Sequence, residues 1–174
     1  MGHLGNLYFC QGKYEQALDI FNQALKEDKG NTYFLLYKSK SKVLVKLKKY
    51  DEAILNIKEY LKLFPEKNND KEIQNLIKIL TLERELARTP SDYKIIASIA
   101  DLYYQNEGYE ESIDYYKKAI ILKPDDPVLY FNLGVVYWKQ KKWDDCIKEW
   151  EETLKLKPDY EGAKSWLPKA KEKL

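Results

Sequence analysis

Four stretches of the chain resemble one another, and this internal repetition limits the possible folds more than any other feature of the sequence. The three closest copies begin at Leu4, Ile99 and Leu133, and a small residue follows each of these positions. Pro124 and Pro158 close the last two copies, 34 residues apart. Each copy has the apolar spacing of two amphipathic helices joined by a short turn. Because one pair cannot bury its apolar face alone, the pattern predicts an all-helical stack of neighbouring pairs.

Small and large residues recur at fixed places in the first helix (helix A) and the second helix (helix B) of each copy. Small residues let two paired helices approach closely, and large residues fill the space beside them. The small positions are Gly5, Ser41, Ala100 and Gly134 in helix A, and Ala17, Ala53, Ser112 and Cys146 in helix B. The large positions are Tyr8, Phe21, Tyr103, Tyr116, Tyr137 and Trp150.

The pattern resembles the tetratricopeptide repeat, in which Trp, Leu-Gly, Tyr, Ala, Phe and Pro recur over 34 residues. The fourth copy matches more loosely, with Tyr37, Lys40 and Ser41 in the places of the Trp, Leu and Gly. The resemblance covers most of the chain and implies an all-α fold. We expect a right-handed alpha-alpha superhelix, a tetratricopeptide solenoid of about four helix pairs. An inserted single helix and a C-terminal capping helix complete the prediction.

Two segments depart from the repeat. The first, residues 68–89, is too short for a helix pair, and its apolar residues predict one helix of about 19 residues. The last segment resembles the extra helix that often ends such arrays, and Pro168 predicts a break or bend within it. We therefore predict a first pair of repeats at 1–67, a connecting helix at 68–89, a second pair at 90–160 and a capping helix at 161–174.

Composition and charge argue against several classes of partner. The net charge is only +2, so the chain as a whole has no strong electrostatic attraction to nucleic acid. No apolar run approaches the roughly 18 residues of a membrane helix, and we predict no membrane insertion. No signal peptide is visible, which says little about a longer parent protein, and the location is left open with the cytoplasm favoured.

The sequence offers no motif for catalysis or for a cofactor. The only histidine is His3, near the start of the chain, so a nucleophilic triad lacks its base. Cys10 and Cys146 lie far apart and do not have metal-binding spacing. Both Asp-Asp pairs lie at predicted helix starts, where capping explains them. We predict no enzyme activity, no metal and no cofactor.

In tetratricopeptide repeat proteins, the first helices line a concave groove that binds peptides or extended protein segments. The resemblance therefore implies a non-enzymatic scaffold with a protein or peptide partner. Helix A side chains that packing does not use should line the groove. These predicted residues are Asn6, Phe9, Lys38, Lys42, Lys46, Lys94, Asp101, Tyr104, Phe131, Asn132, Val135 and Trp138.

Two features of the predicted groove allow more than one interpretation. Lys38, Lys42 and Lys46 share one helix face and form either a solvated surface or a stripe for an acidic peptide. Nucleic acid is disfavoured there because no aromatic side chains interleave with the lysines. Trp138 either packs against Trp166 or the next helix, or anchors an apolar side chain of the partner.

Self-assembly is the alternative function: the ends of the array stack, or the inserted helix swaps between chains, and a homo-oligomer results. The stretch NLYFCQG resembles a protease-cleavage tag, but it aligns with the other copies and is therefore interpreted as native. Helix A of the first copy begins about a turn late. We expect the chain to be a fragment of a longer array.

Overall fold

The computed structural model describes residues 2–27 and 33–174, with only the backbone of Tyr33. Within these residues the regular structure consists of ten α-helices and one 3-10 turn, with no strand, which confirms the predicted all-α class. The helices are α1 (Gly2–Cys10), α2 (Tyr14–Glu27), α3 (Tyr33–Lys46), α4 (Tyr50–Leu63), α5 (Lys71–Leu86), α6 (Tyr93–Gln105), α7 (Tyr109–Leu122), α8 (Pro127–Lys139), α9 (Trp143–Leu156) and α10 (Glu161–Lys171).

The chain divides into two compact units. Unit 1 spans Met1–Ala87 and holds α1 to α5, and unit 2 spans Arg88–Leu174 and holds α6 to α10. In each unit every helix packs on the next one along the chain. Each unit is therefore two helix pairs followed by a single helix. The division at 1–67, 68–89, 90–160 and 161–174 stays a prediction about folding segments.

Aspartate side chains fix the starts of three helices. Asp70 accepts hydrogen bonds from two backbone N–H groups in the first turn of α5, at 3.0 and 3.4 Å. Asp92 makes the same pair of bonds at the start of α6. Asp126 caps α8, with Pro127 at its first position, as the sequence predicts. These carboxylates satisfy N–H groups that a helix leaves unpaired, and they face its positive end.

One residue with a left-handed backbone follows helix A in each copy. Gly12 has a φ of 73°, and the residues at the equivalent positions, Lys48, Glu107 and Lys141, have φ values of 59°, 58° and 58°. For a residue with a Cβ atom this conformation costs about 1 kcal/mol. The same turn therefore recurs even where its residue is not a glycine.

Lys48→Gly is expected to raise the free energy of unfolding by about 0.5–1 kcal/mol, because glycine adopts a positive φ without a clash at Cβ. Gly12→Ala is the reverse control and should lower the free energy of unfolding by a similar amount. Urea denaturation followed by circular dichroism measures both variants. If neither variant changes the stability, the turn stores no strain.

Glycine stands at two of the helix crossings because a bulky ring occupies the space of its missing side chain. A Cβ atom on Gly5 would lie 2.8 Å from the Phe21 ring. A Cβ atom on Gly134 would lie 2.4 Å from Nε1 of Trp150. Both distances are shorter than any ordinary van der Waals contact. The predicted close approach of helices A and B at these small residues is therefore present.

The two middle copies join their helices through a serine hydroxyl at the same crossing. In unit 1, Ser41 on α3 donates to the carbonyl oxygen of Ala53 on α4, at 3.2 Å. In unit 2, Ser112 on α7 donates to the carbonyl oxygen of Ala100 on α6, at 2.9 Å. All four residues are fully buried. The hydrogen bond lies at equivalent places, but the donor is on helix A in one copy and on helix B in the other.

The two single helices differ in detail from their predicted form. Helix α5 has 16 residues instead of about 19, because the Pro65–Asn69 turn and the Asp70 cap precede it. Its predicted apolar face, including Ile73, is buried in the core of unit 1. Helix α10 does not break at Pro168 and continues to Lys171. A proline there removes only one helical donor, and the helix ends within the next turn.

Candidate functional site

The predicted groove residues all lie on α1, α3, α6 and α8, which are the A helices of the four copies. We call the predicted residues on α1 and α3 the helix-A face of unit 1. Those on α6 and α8 form the helix-A face of unit 2. The face of unit 1 consists of Asn6, Phe9, Lys38, Lys42 and Lys46. The face of unit 2 consists of Lys94, Asp101, Tyr104, Phe131, Asn132, Val135 and Trp138.

The lysines on the face of unit 1 have different surroundings. Lys38 forms an ion pair with Glu72 at the start of α5, and its ammonium group lies 5.9 Å from the centre of the Phe34 ring. Lys42 is half-buried and Lys46 is exposed. An ion pair as accessible as that of Lys38 contributes about 1 kcal/mol or less. A partner carboxylate could therefore replace Glu72 at small cost.

The two predicted residues on α1 differ in exposure. Asn6 is exposed. Phe9 is half-buried, with its ring centre 5.7 Å from that of Tyr14 on α2, so it contributes to the core of unit 1. Of these two residues, Asn6 thus offers a polar group to a ligand, while Phe9 mainly packs.

Two predicted residues of unit 2 are joined through a buried tyrosine. The Tyr116 hydroxyl, from α7, donates a hydrogen bond to the Asp101 carboxylate on α6. The side-chain amide of Asn132, on α8, donates to the same hydroxyl. Tyr116 is 1% exposed, whereas Asp101 is exposed and Asn132 is half-buried. The network therefore holds an accessible carboxylate and an amide in a fixed relation on adjacent A helices.

The environment of Tyr116 keeps its hydroxyl protonated. Burial raises the pKa of Tyr116 far above its usual value, and the hydrogen bond to the Asp101 carboxylate raises it further. The amide of Asn132 acts in the opposite direction. A neutral hydroxyl is the state that can donate a hydrogen bond to a carboxylate, so the raised pKa of Tyr116 favours this network.

Lys94 and Tyr104, the other predicted residues on α6, lie on the same helix as Asp101. Lys94 is exposed, and its backbone N–H donates to the capping carboxylate of Asp92 at 2.9 Å. Tyr104 is half-buried, with its ring centre 6.0 Å from that of Tyr109, and burial raises its pKa. Lys94 and Asp101 thus place opposite charges on one helix face.

The aromatic residues on α8 pack against the helices that follow. The Trp138 ring centre lies 5.1 Å from that of Trp143, 5.7 Å from that of Trp150 and 5.4 Å from that of Trp166. The ring of Phe131 lies 4.9 Å from that of Tyr160. These contacts favour the packing interpretation of Trp138 over the anchor. Val135 is half-buried beside them.

Residues 2–27 and 33–174 contain no group of His, Cys, Asp and Glu side chains that could hold a metal ion. Cys146 is buried at a helix crossing, and burial raises the pKa of its thiol to about 12, so it is a poor nucleophile. Over the same residues, no helix is long and apolar enough to cross a membrane.

The sequence pattern assigned no functional role to Lys40, which the structure places beside a cavity. Lys40 lies between the stripe residues but points elsewhere, towards a cavity where α2, α3 and α4 meet. One sequence feature could have identified Lys40: in this copy of the repeat, a lysine replaces the expected leucine. Such a replacement conflicts with the apolar pattern of a packed helix pair.

Sequence models of known families match both ends of the chain. A model described as TPR repeat matches residues 100–141, and one described as tetratricopeptide repeat matches residues 127–160. A model described as anaphase-promoting complex, cyclosome, subunit 3 matches residues 3–60. The two repeat models thus match unit 2, and the third model matches part of unit 1.

Two curated relatives are similar to parts of the chain. The peroxisomal targeting signal receptor of Candida albicans is 27% identical over 73 residues, which are 42% of this chain and 12% of the relative. The TPR repeat protein oca3 of Schizosaccharomyces pombe is 25% identical over 124 residues, which are 71% of this chain and 34% of the relative. The chain spans about a third or less of the length of these relatives.

A solved structure shares the fold. The C-terminal part of a TPR repeat-containing protein from Cytophaga hutchinsonii is similar over 99% of this chain and 71% of its own, with a TM-score of 0.53. The sequence identity between the two is 19%. At this identity the similarity concerns the arrangement of the helices and carries nothing about ligands.

Proposed function

Because the chain is a tetratricopeptide repeat protein, we propose that each unit binds an extended protein or peptide segment on its helix-A face. Proteins of this family generally mediate protein–protein interactions, and their fold is typically a non-enzymatic scaffold. One relative is named as a receptor for a targeting signal, which fits a surface that receives a protein segment. The proposed role is therefore that of a scaffold without catalytic activity.

The observation that best supports this role is the network around Tyr116 in unit 2. The buried Tyr116 hydroxyl, itself bonded to the Asn132 amide, holds the exposed Asp101 carboxylate in place, so binding to this carboxylate would cost little side-chain entropy. The carboxylate can accept N–H groups of an extended backbone, and the half-buried Asn132 amide can pair with a backbone carbonyl. Such a pair of groups suits an extended segment better than a compact surface.

The helix-A face of unit 1 suits an acidic segment. Lys38, Lys42 and Lys46 recur every turn of α3, and acidic side chains on an extended segment could follow them. The Glu72 carboxylate already forms an ion pair with the ammonium group of Lys38, which supports a carboxylate as the ligand of this lysine. A partner carboxylate would take the place of Glu72.

The test uses peptides selected on the intact chain from a random library of extended peptides. For those that bind unit 1, the double variant Lys42→Glu/Lys46→Glu is expected to weaken binding at least tenfold, because attraction becomes repulsion. Lys58→Glu makes the same kind of change on an exposed position of α4, a B helix, and should leave the affinity within twofold. Fluorescence anisotropy measures both affinities.

Equal loss of affinity in the Lys58 variant would mean that only overall charge matters. Unchanged affinity in the double variant would refute the role of the lysine face. For peptides that bind unit 2, Asp101→Ala is expected to weaken the affinity. Lys118→Ala, at an exposed position of α7, is the control and should leave the affinity unchanged.

Self-assembly is the second candidate, favoured by an exposed apolar surface on α1. Leu7 is 53% exposed, whereas Val43 and Val136, at the equivalent positions of two other copies, are 0% and 1% exposed. Leu4, one turn earlier, is 42% exposed. Sedimentation velocity at two concentrations tests this candidate, and Leu7→Lys should abolish any concentration-dependent oligomer. A monomer at both concentrations would exclude it.

A further inference from the structure

A cavity of about 380 Å³ lies in unit 1, on a different side of α3 from the lysine stripe. Its walls come from α2, α3 and α4. The lining residues among those that the structure describes are Asn22, Leu25, Lys26, Tyr37, Lys40 and Glu59. Lys40 is two residues from both Lys38 and Lys42, which places it roughly 160° around the helix from each of them. A ligand in this cavity would therefore be separate from one on the helix-A face.

Lys40 has a charged group where the repeat calls for an apolar one. The equivalent residues in unit 2 are Ile99 and Leu133, which are 0% and 1% exposed. Lys40 is half-buried, and no hydrogen bond or ion pair of its ammonium group occurs within residues 2–27 and 33–174. Burial lowers the pKa of Lys40, and the nearby Glu59 and Glu52 carboxylates offset only part of this effect.

An amine that is partly removed from water without a close partner destabilises the folded state. The helix pair does not need this amine, because leucine or isoleucine fills the same place in the other unit. Departures from the pattern that cost stability tend to occur at functional sites. Lys40 is thus better explained by a ligand than by the packing of α3.

The lining indicates which ligand would fit. Among the described lining residues, two lysines, Lys26 and Lys40, and one acid, Glu59, leave a single net positive charge. The Glu52 carboxylate also lies near Lys40, so one carboxylate fits better than a doubly charged phosphate. The Asn22 amide adds a hydrogen-bond donor. Leu25 and Tyr37 supply apolar walls for the methylene groups of a side chain. The volume is near the lower end for ligand pockets and admits a side chain with its adjoining backbone.

We propose that this cavity binds the carboxylate of an acidic residue in a protein partner, with Lys40 as the central contact. The site does not depend on the proposed helix-A faces, since it lies on another side of α3 and uses other residues. It would give unit 1 a second contact with a partner, and two weak contacts on one chain bind more tightly than either alone.

The test is a titration of the isotope-labelled full chain with short capped peptides, followed by NMR. Acetyl-Ala-Glu-Ala-amide should produce saturable shifts at Lys40, Asn22 and Leu25, and acetyl-Ala-Gln-Ala-amide should bind at least tenfold more weakly. Acetyl-Ala-Ala-Ala with a free carboxyl end tests whether the cavity also binds a C-terminal carboxylate or only that of a side chain. Inorganic phosphate separates a general anion site from a carboxylate site.

Lys40→Leu should abolish the shifts at Asn22 and Leu25 and raise the urea midpoint, because it restores the apolar residue of the other copies. Lys40→Met preserves the length of the side chain and serves if the leucine variant does not fold. The double variant Lys42→Glu/Lys46→Glu should bind the glutamate peptide as the wild type does. Equal binding of the Glu and Gln peptides, preferential binding of phosphate, or unchanged binding by Lys40→Met would overturn the proposal.

Discussion

Gly134→Ala is expected to lower the free energy of unfolding by about 3 kcal/mol, which is large for the addition of one methyl group. The new Cβ atom would lie 2.4 Å from Nε1 and 2.5 Å from Cδ1 of Trp150. Trp150 is 1% exposed, and its Nε1 donates to the carbonyl oxygen of Phe131 at 3.1 Å. The ring therefore cannot move aside without losing this hydrogen bond and disturbing its packing.

The measurement is urea denaturation followed by tryptophan fluorescence, which reports on unit 2 because all 4 tryptophans lie there. A matched rescue comes from the chain itself. Gly134→Ala/Trp150→Tyr reproduces the combination of Ala100 and Tyr116 found in the preceding copy. The double variant should lose less stability than the sum of the two single variants. Strict additivity would show that the two positions are not coupled.

Trp138→Ala is expected to lower the free energy of unfolding by about 3 kcal/mol as well, because it removes a ring at the centre of a cluster. Three other tryptophan rings lie within 5.7 Å of it, centre to centre. The same urea experiment measures this loss. A groove anchor would behave differently, since removal of an exposed ring changes the affinity for the partner more than the stability.

Trp166→Ala is the matched control for this prediction. Trp166 belongs to the same cluster but is 41% exposed and packs edge-on against one of its rings, that of Trp138, so we expect a loss of about 1 kcal/mol. If Trp138→Ala retained wild-type stability while losing affinity for peptides selected on unit 2, the anchor interpretation would replace the packing one.

The helical architecture could be predicted from the sequence because it depends on periodic apolar residues. The small positions at the helix crossings recur at fixed spacing, and the structure buries all of them, including Gly5 and Gly134. Asp126 with Pro127 also identified a helix start correctly, since capping depends on neighbours in the sequence. These features are local or repeat with a constant period, so no knowledge of tertiary contacts is needed.

The surroundings of the candidate site residues could not be predicted in the same way. The partner of Lys38 is Glu72, on a helix outside the repeat pattern. The hydroxyl that bonds to Asp101 comes from Tyr116. The repeat pattern predicts an aromatic ring at this position but does not predict the hydrogen bond of its hydroxyl. A repeat pattern predicts which positions are apolar, but it does not predict which polar atoms form hydrogen bonds between helices. Lys40 was visible as a departure, but its cavity requires the positions of three helices.

The serine hydrogen bonds at the helix crossings imply that repeats should be compared at two positions together, one on helix A and one on helix B. Ser41 with Ala53 and Ala100 with Ser112 differ at both places when each column is aligned separately, yet they make the same bond with its direction reversed. Exchange of the two residues within a copy, Ser41→Ala with Ala53→Ser, would preserve the hydrogen bond between the helices, but the Asn56 amide, which donates to the Ser41 hydroxyl at 2.8 Å, would lose this acceptor. Substitution profiles that treat columns independently would score this exchange as two unrelated changes and would miss the hydrogen bond that it preserves.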